Sequence, residues 1–117
     1  MQALLRALRN SSAGLRHALA SERAVRQEFV VLLVALPLAV LTGVDNWKRA
    51  LLIGSVLMVL AIELLNTCIE KLCDHVTPQI HPAIRAVKDM GSAAVLFAVC
   101  GSALLWLAAL VDRLGWL

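Results

Sequence analysis

Three apolar stretches divide the chain. Residues 29–44 and 90–111 carry no charged side chain, and 50–69 carries only Glu63. A helix that crosses a bilayer needs about 20 apolar residues, with a workable range of about 17–25. The third stretch meets that outright, and the second does so if Glu63 is tolerated. The first is short, but Arg26 and Glu28 at its start can snorkel to the interface. Pro37 inside it is tolerated in a membrane helix at the cost of a kink. The pattern predicts an all-α integral membrane protein of one domain, 1–117. Its parts are a surface helix over 1–28, spans over 29–46, 48–72 and 88–111, and an inner loop over 73–87. Pro78 and Pro82 are expected to break any helix in that loop. A secretory signal would need a small-residue cleavage site after the first apolar run, and the residues from Leu41 to Asp45 do not supply one.

Residues 1–28 follow a different rule. Leu4, Leu5, Leu8, Leu15, Ala18 and Leu19 recur at roughly helical spacing, with Arg6, Arg9, Arg16, Arg23 and Arg26 between them. A basic amphipathic helix of this kind lies on a membrane surface. Asn10, Ser11, Ser12, Ala13 and Gly14 interrupt the pattern, and Ser11 or Ser12 would cap a second helical segment. Orientation follows from the Lys and Arg distribution. With the N-terminus inside, Arg6, Arg9, Arg16, Arg23, Arg26, Lys71, Arg85 and Lys88 face the cytoplasm, eight against the three outside, Lys48, Arg49 and Arg113. Trp47, Trp106 and Trp116 then fall towards the outer interface, as an aromatic belt does. Residues 43–47 form the outer turn.

Composition agrees. Of the 117 residues, 61% are hydrophobic and 16% charged, where soluble domains average about 45–50% and about 25%. That excludes an ordinary soluble domain and a disordered chain. The net charge of +3 is too small, on too few charged residues, to build a nucleic-acid face. Cys68, Cys73 and Cys100 form no CxxC pair, so zinc and a disulfide framework are both unexpected. They read as small apolar fillers.

The informative residues are the polar ones inside the spans. Glu63, Asn66, Glu70 and Asp74 are spaced by three, four and four, which puts them within about 80° of one another on a helix, with Thr67 at the edge. A charge at bilayer depth costs at least about 2.5 kcal/mol, and residues that expensive face a bundle interior or a wet site. Hydrogen-bonding glue between helices would explain one such residue. It explains four in register poorly. A second polar group, Lys88, Asp89, Gly91 and Ser92, opens the third span at the same inner face. It either marks the membrane edge or places a cation where phosphate is favoured, near a helix N-terminus. Glu22 and Glu28, just before the first span, are the only acids among the first 44 residues. Glu22 is either an ordinary surface residue or part of the same acid cluster.

Carboxylates, a cation and a Gly-Ser pair together suggest magnesium-assisted phosphoryl transfer. Carboxylates hold the metal, a cation meets the phosphates, and one further carboxylate takes the proton of a hydroxyl. Glu63 lies seven residues from Glu70, about 10 Å along a helix axis. Glu70 is then near the cytoplasm, where ATP is available, and Glu63 deeper, where a lipid hydroxyl is.

These residues resemble a known family. The run from Glu63 through Asn66, Thr67, Ile69 and Glu70 to Asp74 resembles the prokaryotic diacylglycerol kinase signature E-x-x-N-[ST]-x-I-E-x-x-x-D. Lys88, Asp89, Met90, Gly91, Ser92, Ala93, Ala94 and Val95 resemble the family's second motif. Arg26, Gln27 and Glu28, with Gly14, Leu15 and Arg16 in the surface helix, match as well. The resemblance runs from about Gly14 to the C-terminus. It implies a small lipid kinase of the bacterial inner membrane, multi-pass with the N-terminus cytoplasmic. It implies a homotrimer with active sites between subunits, using ATP, Mg2+ and diacylglycerol. It carries over Glu63 as general base, and Glu22 and Glu70 as holders of magnesium with ATP. Lys88 would meet the phosphates, and Asp89 and His81 the nucleotide. Ser92 and Arg26 would join Glu63 on the lipid side, and Asn66 and Asp74 would support the acid cluster.

The sequence departs from the family in two places. Asn10, Ser11, Ser12 and Ala13 stand where the family commonly has Tyr-Ser-Trp before its Gly-Leu-Arg, and Pro82 follows His81 where an acid is common. Neither touches the acid cluster. A related branch, undecaprenol kinase, usually reads Lys-Asp-x-Ala-Ala-Gly-Ala-Val in the second motif. Met90, Gly91, Ser92 and Ala93 resemble the diacylglycerol branch instead. A proton-coupled exporter is the alternative from another class. Such proteins typically have four spans with the acid in the first, whereas here three spans carry it in the second.

Overall fold

The computed structural model describes residues 1–117 except Pro78, Ile80 and Leu117. Four helices follow in order: α1 (Gln2–Ser21), α2 (Arg23–Thr42), α3 (Asn46–Val76) and α4 (Pro82–Leu114). Among the described residues there is no strand. α2, α3 and α4 are each long and apolar enough to cross a membrane, so the all-α, three-span reading holds.

The expected interruption at Asn10–Gly14 is absent. α1 runs unbroken through it. A single Gly costs a helix about 1 kcal/mol, and that is small beside the register of the leucines on either side. The chain turns instead at Glu22, whose backbone is extended at φ −117°, ψ 114°. Its N–H still donates to the Ala18 carbonyl, and its own carbonyl accepts from Arg26 N–H. Arg26 closes the corner. One guanidinium nitrogen donates to the Leu19 and Ala20 carbonyls at 3.0 and 3.1 Å, two acceptors that the end of α1 leaves without helical partners. The basic residues from Arg23 to Arg26 therefore continue into the first span as one helix.

Pro37 lies inside α2 without ending it. The outer turn is tight: Asp45 caps α3 by accepting from Lys48 N–H at 2.8 Å, and Arg49 Nε donates to the Val40 carbonyl at 3.2 Å. A Cβ at Gly43 would lie 2.9 Å from the Arg49 backbone nitrogen, so the turn has no space for a side chain there. At the inner end, the expectation that Pro82 breaks a helix is corrected. It occupies the first turn of α4, where its missing N–H is unneeded and its fixed φ suits the helix. Pro78 lies outside the described residues.

α3 and α4 have 31 and 33 residues, about 46 and 50 Å of helix at 1.5 Å per residue. A hydrocarbon core is about 30 Å thick. Both helices are therefore longer than a hydrocarbon core is thick. The two helices are joined at three levels. Lys48 pairs with Asp112 near the start of α3, Ser55 Oγ and Ser102 Oγ share a hydrogen bond of 2.8 Å further along, and Lys88 pairs with Asp74 near the end of α3. Apolar packing supplies the rest. Ala18, Val25 and Leu60 lock α1, α2 and α3 together, and Ala39, Leu52 and Ala109 do the same for α2, α3 and α4.

The serine pair gives a first expected result. Ser55 Oγ also bonds the Leu52 carbonyl at 2.8 Å, so Ser102→Ala leaves no orphan on α3. The loss should be modest, about 0.6 kcal/mol and at most about 1.7, read as a small drop in the thermal midpoint in detergent. A large drop would mean that the pair carries more of the α3–α4 interface than one polar contact.

Candidate functional site

The inner half of α3 carries Glu63, Asn66, Thr67, Glu70 and Asp74 on one side, graded in burial. Asn66 and Thr67 are buried at 8% exposure, Glu63 is half-buried, and Glu70 and Asp74 are exposed. Asn66 faces α4. A Cβ placed on Gly91 would collide with Asn66 Oδ1, so the helices approach here as closely as a glycine permits. Asn66 Oδ1 is buried with no hydrogen-bond donor among the described residues. Its other end is engaged, Nδ2 donating to Glu70 Oε1 at 3.3 Å. Glu70 thus has one oxygen steadied by a buried amide while its side chain remains open to solvent. Glu63 sits two turns before Glu70 on α3.

The other residues singled out in the sequence fall into two further places. Glu22, at the α1–α2 corner, pairs with Lys71 of α3, Nζ to Oε1, at 2.8 Å. Asp74, His81, Lys88 and Asp89 line a cleft of about 320 Å³ between the end of α3 and the start of α4. His81 caps α4, its Nδ1 accepting from Ala83 N–H at 3.1 Å, and Lys88 reaches across to Asp74. Ser92 and Asp89 are exposed on α4. Arg26 is committed to carbonyls of α1, as described above. Arg85 was missed as a site residue: it lines the same cleft one helical turn before Lys88, and the i, i+3 spacing of two cations at the start of a helix was the available signal.

An apolar groove of about 470 Å³ runs at bilayer depth between α2, α3 and α4. Val34, Val56, Val99 and Trp106 line it, with Ser102 and the Glu28 carboxylate. Glu28 is the one acid among its lining residues.

Among the described residues no three His, Cys, Asp or Glu side chains converge as a metal cage. Magnesium delivered with a nucleotide would call on only one or two carboxylates, with phosphate oxygens and water completing its shell. Glu70, exposed and oriented by Asn66, has the form of such a ligand. Glu22 has the right chemistry but is occupied by Lys71.

The arrangement matches known proteins over nearly the whole chain. The family model for prokaryotic diacylglycerol kinase matches residues 9–110. The diacylglycerol kinase of Escherichia coli (strain K12) is 39% identical over 112 residues, covering 96% of this chain and 92% of its own. That of Pseudomonas aeruginosa is 38% identical over 106 residues, covering 91% and 86%, and that of Haemophilus influenzae 34% over 103, covering 88% and 87%. With the Glu63–Asp74 face and the Lys88–Ser92 motif both inside the matched region, the chain belongs to the prokaryotic diacylglycerol kinase family.

Proposed function

We propose that the protein transfers the γ-phosphoryl group of ATP, with Mg2+, to the free hydroxyl of diacylglycerol, giving phosphatidic acid and ADP. The observation that carries this is the graded acid face of α3, with a half-buried Glu63 two turns below an exposed Glu70 that Asn66 orients. The Glu63 carboxylate accepts the hydroxyl proton as the lipid oxygen attacks the γ-phosphorus. The bond to the β–γ bridging oxygen breaks, and ADP leaves with that electron pair. Lys88 is freed from Asp74 to meet the phosphates, while Arg85, His81 and Asp89 line the cleft that receives the nucleotide. Mg2+ held by Glu70 and Glu22 would neutralise charge on the transferring phosphates. Ser92 and Arg26 belong to the lipid side, and Asp74 supports the cluster from the same face of α3.

The protein sits in the bacterial inner membrane with its N-terminus in the cytoplasm, the orientation that the basic residues favour and that brings the cleft to ATP. It works as a homotrimer. Along α4 only Gly91 and Ala109 are buried, so most of that helix is left to meet lipid or other subunits, and a single chain leaves the acid face open on one side.

The test is transfer of label from ATP in mixed micelles with Mg2+, comparing diacylglycerol with undecaprenol. Labelled phosphatidic acid is expected. Label on undecaprenol alone keeps the chemistry and rejects the substrate. No label on either lipid from folded protein rejects the kinase reading. Glu70→Gln should raise the magnesium concentration for half-maximal rate on the order of tenfold or more, since even changes behind a metal ligand cost about 10–100-fold. An unchanged requirement removes Glu70 from the metal.

A further inference from the structure

We propose that Lys71 is a resident counter-cation on the metal-binding carboxylate Glu22: its ammonium occupies the carboxylate in the nucleotide-free protein, and a divalent cation must displace it to bind. This rests on the placement of Glu22 in the metal site made above. The Lys71 Nζ lies 2.8 Å from Glu22 Oε1 and 3.5 Å from Ser21 Oγ, so it spans from α3 to the α1–α2 corner.

Two other cations are engaged elsewhere. Arg26 holds the Leu19 and Ala20 carbonyls, and Lys88 holds Asp74. Lys71 also follows Glu70 directly, on the same turn of α3. One turn of one helix therefore offers a carboxylate to the metal and sends a cation to the other carboxylate. An ammonium in contact with a carboxylate oxygen both covers that oxygen and repels an incoming divalent ion.

Competition and simple bracing predict opposite signs. If Lys71 only braces the corner, its loss loosens Glu22 and weakens metal binding. If it competes, its loss strengthens binding. The exposure of the pair, 48% for Lys71 and 29% for Glu22, keeps the expected effect modest, about two- to fivefold as for exposed ion pairs.

The measurement is Mn2+ binding to the full-length protein in detergent, followed by electron paramagnetic resonance without nucleotide. Lys71→Met should tighten Mn2+ binding about two- to fivefold at low salt, with the gain shrinking as salt is raised. Lys71→Arg should bind as the parent does. Arg23→Gln, which removes a charge next to Glu22 without touching its carboxylate, should change binding far less than Lys71→Met. Weaker or unchanged binding in Lys71→Met overturns the proposal, as does an equal gain from Arg23→Gln. Glu22→Gln separates the two levels: if it leaves Mn2+ binding intact, Glu22 is not a metal ligand and both readings fall. If it weakens binding while Lys71→Met has no effect, only the role of Lys71 falls. Thermal midpoints of all four variants are measured alongside, so that loss of fold is not read as loss of metal.

Discussion

Glu63→Gln is expected to reduce turnover by a factor on the order of 10²–10⁴, the usual contribution of a positioned general base, while leaving nucleotide affinity close to that of the parent. The substitution keeps the volume and polarity of the side chain. It touches none of the pairs that hold the inner ends of α3 and α4, since Asn66 bonds Glu70 and Lys88 bonds Asp74. It removes the negative charge and with it the ability to take a proton. Glu63 is two helical turns from Glu70, so a metal–nucleotide complex seated at the exposed end has no direct contact to lose. The measurements are kcat in mixed micelles and binding of a non-hydrolysable ATP analogue to the same preparation. A fall in kcat with unchanged analogue binding is the expected pair of results. Near-normal kcat would remove Glu63 as the base. Loss of analogue binding would assign it to the nucleotide instead.

The separation of Glu63 from Glu70 along α3 was legible in the sequence because a helix of known rise converts seven residues into distance. So were the three spans, since uncharged runs near bilayer length have few other uses. The α1–α2 corner was not. Ser21, Glu22 and Arg23 contain no Gly or Pro, and the break depends on Arg26 reaching back to carbonyls six and seven residues earlier. Local punctuation misled in the other direction at Gly14 and Pro82. There the helix pattern around the one and the first-turn position of the other outweighed the breaker signal. The Glu22–Lys71 pair joins residues 49 apart in the chain, and no spacing rule spans such a distance. Lys71 therefore read only as one positive charge on the inner side. Arg85 was visible in the same limited way until the cleft gave it neighbours.

Gly91→Ala should be damaging although it adds a single methyl group. The added carbon would overlap Asn66 Oδ1, on a side chain that is buried in the crossing of α3 and α4. The glycine is needed here for space: its backbone is ordinary helix, and the oxygen packs where a side chain would begin. Two responses are open. The helices move apart, or Asn66 rotates and withdraws its amide from Glu70 Oε1, 3.3 Å away in the parent. Overpacking of this kind costs about 1–3 kcal/mol, and a shift of about 1 Å in a catalytic group lowers rate about 10²-fold. Gly91→Ala should therefore lower both the thermal midpoint in detergent and kcat. The double variant Gly91→Ala, Asn66→Ala separates the two effects. Truncating Asn66 removes the atom that the methyl strikes, so stability should recover. Activity should not, because Glu70 has still lost its amide. Recovery of both would mean that Asn66 is only an obstacle to packing. Recovery of neither would place the damage in the α3–α4 crossing rather than in this one contact. Gly91→Ala with the parent's stability and rate would show that the close approach at Asn66 is not required at all.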